Sequence, residues 1–536
     1  MTMYKRLAKE FRQLLLPLCV AAGAACTMQM FAMLGGPWEA GPSSFFYNLS
    51  TFAFFGGIGV AAGMAFGAEF QQRTLGLLVS QPVSRSRIWK EKMLVLLFAV
   101  TAAGLILWLS EKFAYLIAIH WPTSFAGLRS ISGDLVSGIC VVAMVCSAGF
   151  WTLFARSTIG GIVFSVASVF FVALGVLFAL NKLYGPEVPI EGPIVTGSIV
   201  GAGILYSTIF LWLGWRKFAR LEIRDVSFGD SGFESGPLAG TRRWAAWLRC
   251  RPAGMTLNLI RKELRLQKPL FLVAAILSLC WLVTLLLLLL DPARMKTFET
   301  ILNLLTAIYV VVLPLLAGCI SLGEEKALGL TAWHLTLPVS TRRQWLLKLA
   351  VSMSVAILLG FALPWLLAWL SAVKTKVGLS YLMNENNDGW LMFLAAWELT
   401  FLMSFWAVTM LTNTLRAALG SMIGLALLCF CGALGLRFEE LVGPLQTELL
   451  RLPAAYFHLP PDFFFVLAIK CIVPLMLVTV VVAILAQSLA QFRRVQTPVK
   501  IIWKYSVILA VVVFLMAFWL ADLGNSASAL NAPLLK

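Results

Sequence analysis

The residues best placed to do chemistry in this chain are charged and aromatic side chains that occur twice at one spacing. Glu69, Pro82, Val83, Ser84, Arg87, Trp89 and Lys92 recur as Glu325, Pro338, Val339, Ser340, Arg343, Trp345 and Lys348. Arg85 and Arg342 add a cation beside each Pro-Val-Ser turn. A carboxylate, guanidinium and indole set around a proline turn suits docking between proteins, where charge sets register, rather than covalent chemistry. Covalent chemistry has little to work with. The histidines are scattered at 120, 334 and 458, without a Ser/His or His/Glu grouping. No Gly-x-x-x-x-Gly-Lys-Ser/Thr segment is present to cradle phosphate. The cysteines lie, except Cys250, in apolar runs and lack zinc spacing. No catalytic residue, cofactor ligand or metal ligand is expected.

The elements that must position these residues are membrane helices. The chain has 536 residues, 60% hydrophobic and only 12% charged, too apolar for a soluble core to hide. Apolar runs of roughly 20 residues recur from end to end, the length a helix needs to cross a bilayer. Spans are expected near 14–34, 45–68, 93–110, 134–155, 158–180, 194–214, 269–290, 299–321, 345–372, 389–412, 415–435, 463–488 and 502–521. β-Barrel alternation is absent, so the fold expected is an all-α polytopic membrane protein. The first run is too long for a signal peptide and lacks a small-residue cleavage pattern.

Net charge is +17, and its placement sets topology. Lys5, Arg6, Lys9 and Arg12 precede the first span, and basic residues follow the second, fourth and sixth. By the positive-inside rule the N-terminus is cytoplasmic. Basic residues beside spans meet anionic lipid, so nucleic acid is not an expected partner.

The doubled segment reads as a tandem duplication of two parallel six-helix repeats. Residues 1–215 form the first and 256–495 the second. A basic linker at 216–255, with a Gly/Ser-rich centre, joins them. Residues 496–536 add one unpaired span, which places the C-terminus outside. Each repeat opens on an amphipathic stretch expected to lie along the cytoplasmic membrane surface, with Lys9-Glu10 equivalent to Lys262-Glu263. Arg156 and Gly160 answer Arg416 and Gly420 at the turn after the fourth span of each repeat.

Two charges fall inside apolar spans, Glu398 and Lys470, each costing about 2.5–3.5 kcal/mol if isolated. Similar depth below the outer surface allows an intramembrane ion pair. A structural pair and a role in substrate or proton handling are both open.

A basic surface helix, six spans and a Glu…Pro-Val-Ser…Arg…Trp…Lys segment after span two together resemble the drug- and polysaccharide-export (type 2) class of ATP-binding-cassette permeases. The resemblance covers nearly the whole chain, once per repeat, apart from the thirteenth span. It implies that Glu69, Pro82, Arg85, Arg87, Trp89, Glu325, Pro338, Arg342, Arg343 and Trp345 belong to two ATPase-coupling segments. It also implies two cytoplasmic nucleotide-binding ATPase subunits as partners, with ATP and magnesium held there and none in this chain. The expected site is a prokaryotic plasma (inner) membrane, with lipids and accessory membrane proteins as further partners. Apolar spans rich in Phe, Leu and Met favour export of a lipid, lipid-linked or amphipathic compound.

Three readings compete with this. The doubled segments can instead be membrane-surface loops whose tryptophans anchor the interface. The chain can be a secondary transporter built from two six-helix halves, or a noncatalytic membrane immunity or assembly subunit. An ATPase that co-purifies separates the permease from the others.

Overall fold

The computed structural model describes residues 3–34, 42–71, 82–120, 131–184, 192–221, 254–290, 295–327, 339–375, 388–411, 413–425 and 473–493. Thr74, Gly76, Ser80, Gly329, Lys504, Val507, Ile508 and Val511 are described singly. Among these residues the secondary structure is helical, with no strand. Lipid offers no partner to backbone N–H and C=O groups, so apolar runs of this length bond within themselves as helices.

We number the helices α1 Met3–Leu34, α2 Pro42–Gln71, α3 Arg85–His120, α4 Ile131–Ala155, α5 Thr158–Tyr184, α6 Pro193–Ala219 and α7 Met255–Leu266. Then come α8 Lys268–Leu290, α9 Met295–Ala327, α10 Thr341–Ile357, a π-helical turn Leu358–Ala362 and α11 Leu363–Thr375. Helices α12 Asp388–Met410, α13 Thr414–Leu425 and α14 Val473–Phe492 complete the described chain. Among the described residues nine helical segments are long and apolar enough to cross a membrane, from Lys5–Gln29 to Thr341–Leu370. They fall on the first nine expected spans. The tenth to twelfth are helical where described, and most of the thirteenth lies outside the described residues.

The most buried of these spans are Ala53–Phe70 in α2 and Ile301–Ala327 in α9. Small residues let neighbours approach the α2 backbone: Ala61, Ala62, Ala65 and Ala68 are all buried there. Helix α2 packs on α1, α3, α4 and α5, while α9 packs on α8, α10 and α12. The N-terminal and C-terminal groups meet where α5 packs on α8.

One expected element differs. The first amphipathic stretch is not a separate helix but the start of α1, which runs unbroken past Pro17 to Leu34. In the C-terminal group the corresponding stretch, α7, does stand apart and ends at Gln267.

Candidate functional site

The doubled charges meet in two buried clusters at the helix ends that flank the Pro-Val-Ser segments. Lys92 lies two turns into α3 and is 2% exposed. Its Nζ donates to Glu10 Oε2 at 2.6 Å and to the Ala65 carbonyl at 3.0 Å, and it reaches Glu69 Oε1 at 3.5 Å. Lys9 donates to the same Glu69 oxygen at 3.4 Å, and the Thr74 hydroxyl donates to the other. In the second cluster Lys348 of α10 donates to Glu263 at 2.5 Å and Glu325 at 2.6 Å. Lys262 donates to Glu325 as well.

Each cluster ties three pieces of chain together: an amphipathic stretch, the end of the helix before the Pro-Val-Ser turn, and the start of the helix after it. Each balances two carboxylates with two ammonium groups. Balance is what makes such burial tolerable, because a buried charge costs several kcal/mol unless it is paired and hydrogen-bonded. Burial raises the Glu263 carboxyl above its ordinary range, outweighing the attraction of Lys348, with the Glu325 charge also raising it. Burial lowers Lys262, helped by the nearby Lys348 charge.

This geometry encloses four residues singled out in the sequence. Glu69 and Glu325 are each 1% exposed, and Trp89 and Trp345 are 4% and 5% exposed. Side chains so enclosed face the interior here, whereas the sequence placed these four in the coupling segments. Trp89 packs on Phe66 and Phe218, with ring centroids 4.5 Å and 5.6 Å away. Trp345 packs on Phe405, and its indole N–H donates to Ser488 Oγ at 3.1 Å.

The outward-facing members are different residues. Pro82, Arg87, Arg342 and Arg343 are exposed. Arg87 pairs with Glu91 at 3.2 Å, and Arg6 reaches the same carboxylate at 3.0 Å. Arg343 donates to Thr256 Oγ1 in the first turn of α7 at 3.0 Å. Arg85 donates to the Ala219 carbonyl at 2.9 Å, satisfying a terminal acceptor of α6. Pro338 lies outside the described residues. Of the intramembrane charges, Glu398 is half-buried in α12, and Lys470 lies outside the described residues, so their pairing does too.

A second pair of contacts repeats beside the clusters. Helix α2 touches Thr158 at Gly67, and α9 touches Thr414 at Gly323, so closely that a Cβ on either glycine would collide with the threonine. This contact register matches Thr158 with Thr414, four residues away from the Arg156/Arg416 alignment read in the sequence. Among the described residues the C-terminal group adds further pins here. Glu324 accepts from Thr414 Oγ1 at 2.9 Å, and Lys326 donates to the Thr409 and Leu411 carbonyls at 2.6 and 3.3 Å. In the same register the N-terminal group has Ala68 and Phe70.

Sequence reasoning noticed Lys9-Glu10 and Lys262-Glu263 but placed them on the membrane surface. The signal that could have turned them inward is Lys92 and Lys348 themselves, lysines at the head of apolar runs that require a carboxylate near by. Among the described residues no cluster suited to a metal ion occurs. No curated protein and no solved structure matches the chain. Residues 11–173, from α1 into α5, match the family model described as ABC-2 family transporter protein, a likeness that supports an ABC-2 type permease, the membrane component of an ATP-binding-cassette transporter.

Proposed function

We propose that this chain is two ABC-2 permease units fused in tandem, residues 1–215 and 256–495, joined by the 216–255 linker. Residues 496–536 add a last span with an external C-terminus. It works as an ATP-driven exporter of a lipid, lipid-linked or amphipathic compound across a prokaryotic inner membrane. Two separate cytoplasmic ATPase subunits dock on it, one under each Pro-Val-Ser segment, and hold the ATP and magnesium.

The observation that carries this reading is the pair of buried lysine–carboxylate clusters. The same residue types, eight side chains in all, perform the same task at the base of both groups of helices. They fasten each amphipathic stretch to the two helices that flank a Pro-Val-Ser turn. A docking segment must be fastened in this way if force applied to it is to move spans and not merely bend a loop. In this reading Arg87, Arg342 and Arg343 meet the ATPase, and Arg85, half-buried on the Ala219 carbonyl, fixes the segment behind them. Glu69, Trp89, Glu325 and Trp345 hold the platform beneath them.

The test is affinity purification of the tagged chain in mild detergent from its native host. Two ATPase protomers per chain are expected in the purified complex. A chain that purifies without ATPase, yet transports when reconstituted on an ion gradient, would replace this reading with a secondary transporter.

A further inference from the structure

Two neighbouring spans of the C-terminal group carry three irregularities at one level that their counterparts α2 and α3 lack among the described residues. Pro314 sits inside α9 and cannot donate to the Val310 carbonyl. Between α10 and α11 the helix widens into the π turn Leu358–Ala362, closed by the Leu363 N–H on the Leu358 carbonyl five residues back. Pro364 follows at once, so Gly360 also loses its ordinary donor, and the extra residue in the turn relieves the clash of the ring with that carbonyl.

These breaks touch. A Cβ on Gly360 would lie 3.1 Å from Pro314 Cδ and 3.2 Å from Trp397 Nε1. The Trp397 indole N–H, in a side chain only 5% exposed, has no acceptor among the described residues. Measured from the Glu325–Lys348 pair, Pro314 and Gly360 are 11 and 12 residues along their helices, so both stand about 17 Å above it. Below that level the helices are pinned by Lys348, Glu324 and Lys326.

The N-terminal group has one proline inside a helix, Pro17 of α1, whose carbonyl lies against Gly57, but no break in α2 or α3, the counterparts of the interrupted spans. In the register of the Gly67–Thr158 and Gly323–Thr414 contacts, Ile58, Gly104 and Val141 stand where Pro314, Gly360 and Trp397 do. Helices α2 and α3 run unbroken through that level, and nothing lies within 4 Å of a Cβ on Gly104. The breaks are therefore not a requirement of the architecture. Proline and π turns are the places where helices bend, and two adjacent helices interrupted at one height can bend together.

We infer that the C-terminal half contains a mid-membrane hinge made by Pro314, the Leu358–Ala362 π turn and Pro364, and that Trp397 is its latch. The outer parts of α9 and of the α10–α11 span swing on a base held by the Lys348 cluster. In the conformation described here the indole N–H is unpaired among the described residues. In the swung conformation it donates to the Gly360 carbonyl, which Pro364 has left without its usual partner. In the N-terminal half α2 and α3 have no such break and move as straight helices, so the paired bend is one-sided.

The experiment uses the full-length chain in lipid nanodiscs, without ATPase or substrate, so its outcome is independent of the permease reading. Spin labels are placed at the exposed positions Leu346 and Trp369, with an equivalent pair at Lys90 and Phe113, in a cysteine-free background. Each pair spans 23 residues, about 34 Å along a straight helix. The Leu346/Trp369 pair is expected to show two distances and the Lys90/Phe113 pair one. Pro364→Ala should merge the two distances, and Trp397→Phe should deplete the shorter by about tenfold, since the latch hydrogen bond is lost. Trp397→Phe keeps the ring and serves alone if Pro364→Ala fails to fold. A single distance at Leu346/Trp369, or two distances unmoved by Trp397→Phe, would overturn the hinge.

Discussion

Replacing Lys348 by Met should damage this protein more than any surface change near the same turn, and the structure says by how much. Lys348 is 3% exposed and sits between Glu263 and Glu325 at 2.5 and 2.6 Å. The substitution keeps the length of the side chain but leaves two buried carboxylates facing one remaining ammonium, Lys262. Stranding a buried charge in this way costs about 3–5 kcal/mol. Lys262 is 26% exposed, so water screens part of its loss, and Lys262→Met should cost only about 1 kcal/mol. Adding Glu325→Gln to Lys348→Met restores balance, with Glu263 facing Lys262 at 3.8 Å. The double variant should then recover about 0.5–3 kcal/mol relative to the sum of the single losses. The assay is reversible unfolding in mixed micelles titrated with a denaturing detergent, followed by tryptophan fluorescence. Strictly additive losses, or a Lys348→Met variant as stable as the parent, would refute the clamp.

Two further outcomes follow from the same contacts. Gly323→Ala should be worse than Gly67→Ala, because the new methyl would meet Thr414 backbone atoms at 2.7 and 2.8 Å, whereas the three atoms nearest a methyl at Gly67 all belong to the Thr158 side chain. A loss of about 1–3 kcal/mol is expected at Gly323 in the same unfolding assay, and equal losses would contradict the contact. Glu263 titrates above its unfolded value, so the folded state keeps a proton that the unfolded chain has released. Its contribution to stability is full below the ordinary carboxylate range and fades as pH rises through the raised value. Glu263→Gln cannot lose that proton, so its stability relative to the parent should climb as pH rises from acid to neutral. A flat difference would show that burial does not govern this group.

The fold was largely legible because the membrane imposes a length and a polarity on every span. The first nine expected spans meet apolar helices of the right length, and α2 and α9 could be read as helices from composition alone. The site was legible only in part. Glu69, Lys92, Glu325 and Lys348 stood out by repetition, yet repetition does not say which way a side chain faces. Lys92 pairs with Glu10 across 82 residues of chain and Lys348 with Glu263 across 85, distances over which no local pattern speaks. The amphipathic stretches suggested a water-facing polar side. Packing against the starts of α3 and α10 turned part of that side inward, because burying two matched pairs costs less than leaving either lysine unpaired beneath the membrane. The hinge residues were harder still, since Trp397 and Gly360 look like ordinary apolar sequence until their helices are side by side.

The central claim is that exposed arginines on two clamped segments meet ATPase subunits. It is tested most directly by reversing both charges, Arg87→Glu with Arg343→Glu, and measuring ATPase capture by the purified chain. Both side chains are exposed, and reversal gives up the Arg87–Glu91 pair and the Arg343–Thr256 bond, so the variant should lose about 1–3 kcal/mol yet stay folded while capture falls at least tenfold. Reversal at Arg242 and Arg243 in the linker should leave capture unchanged. A folded double variant that binds ATPase as well as the parent does would contradict the account.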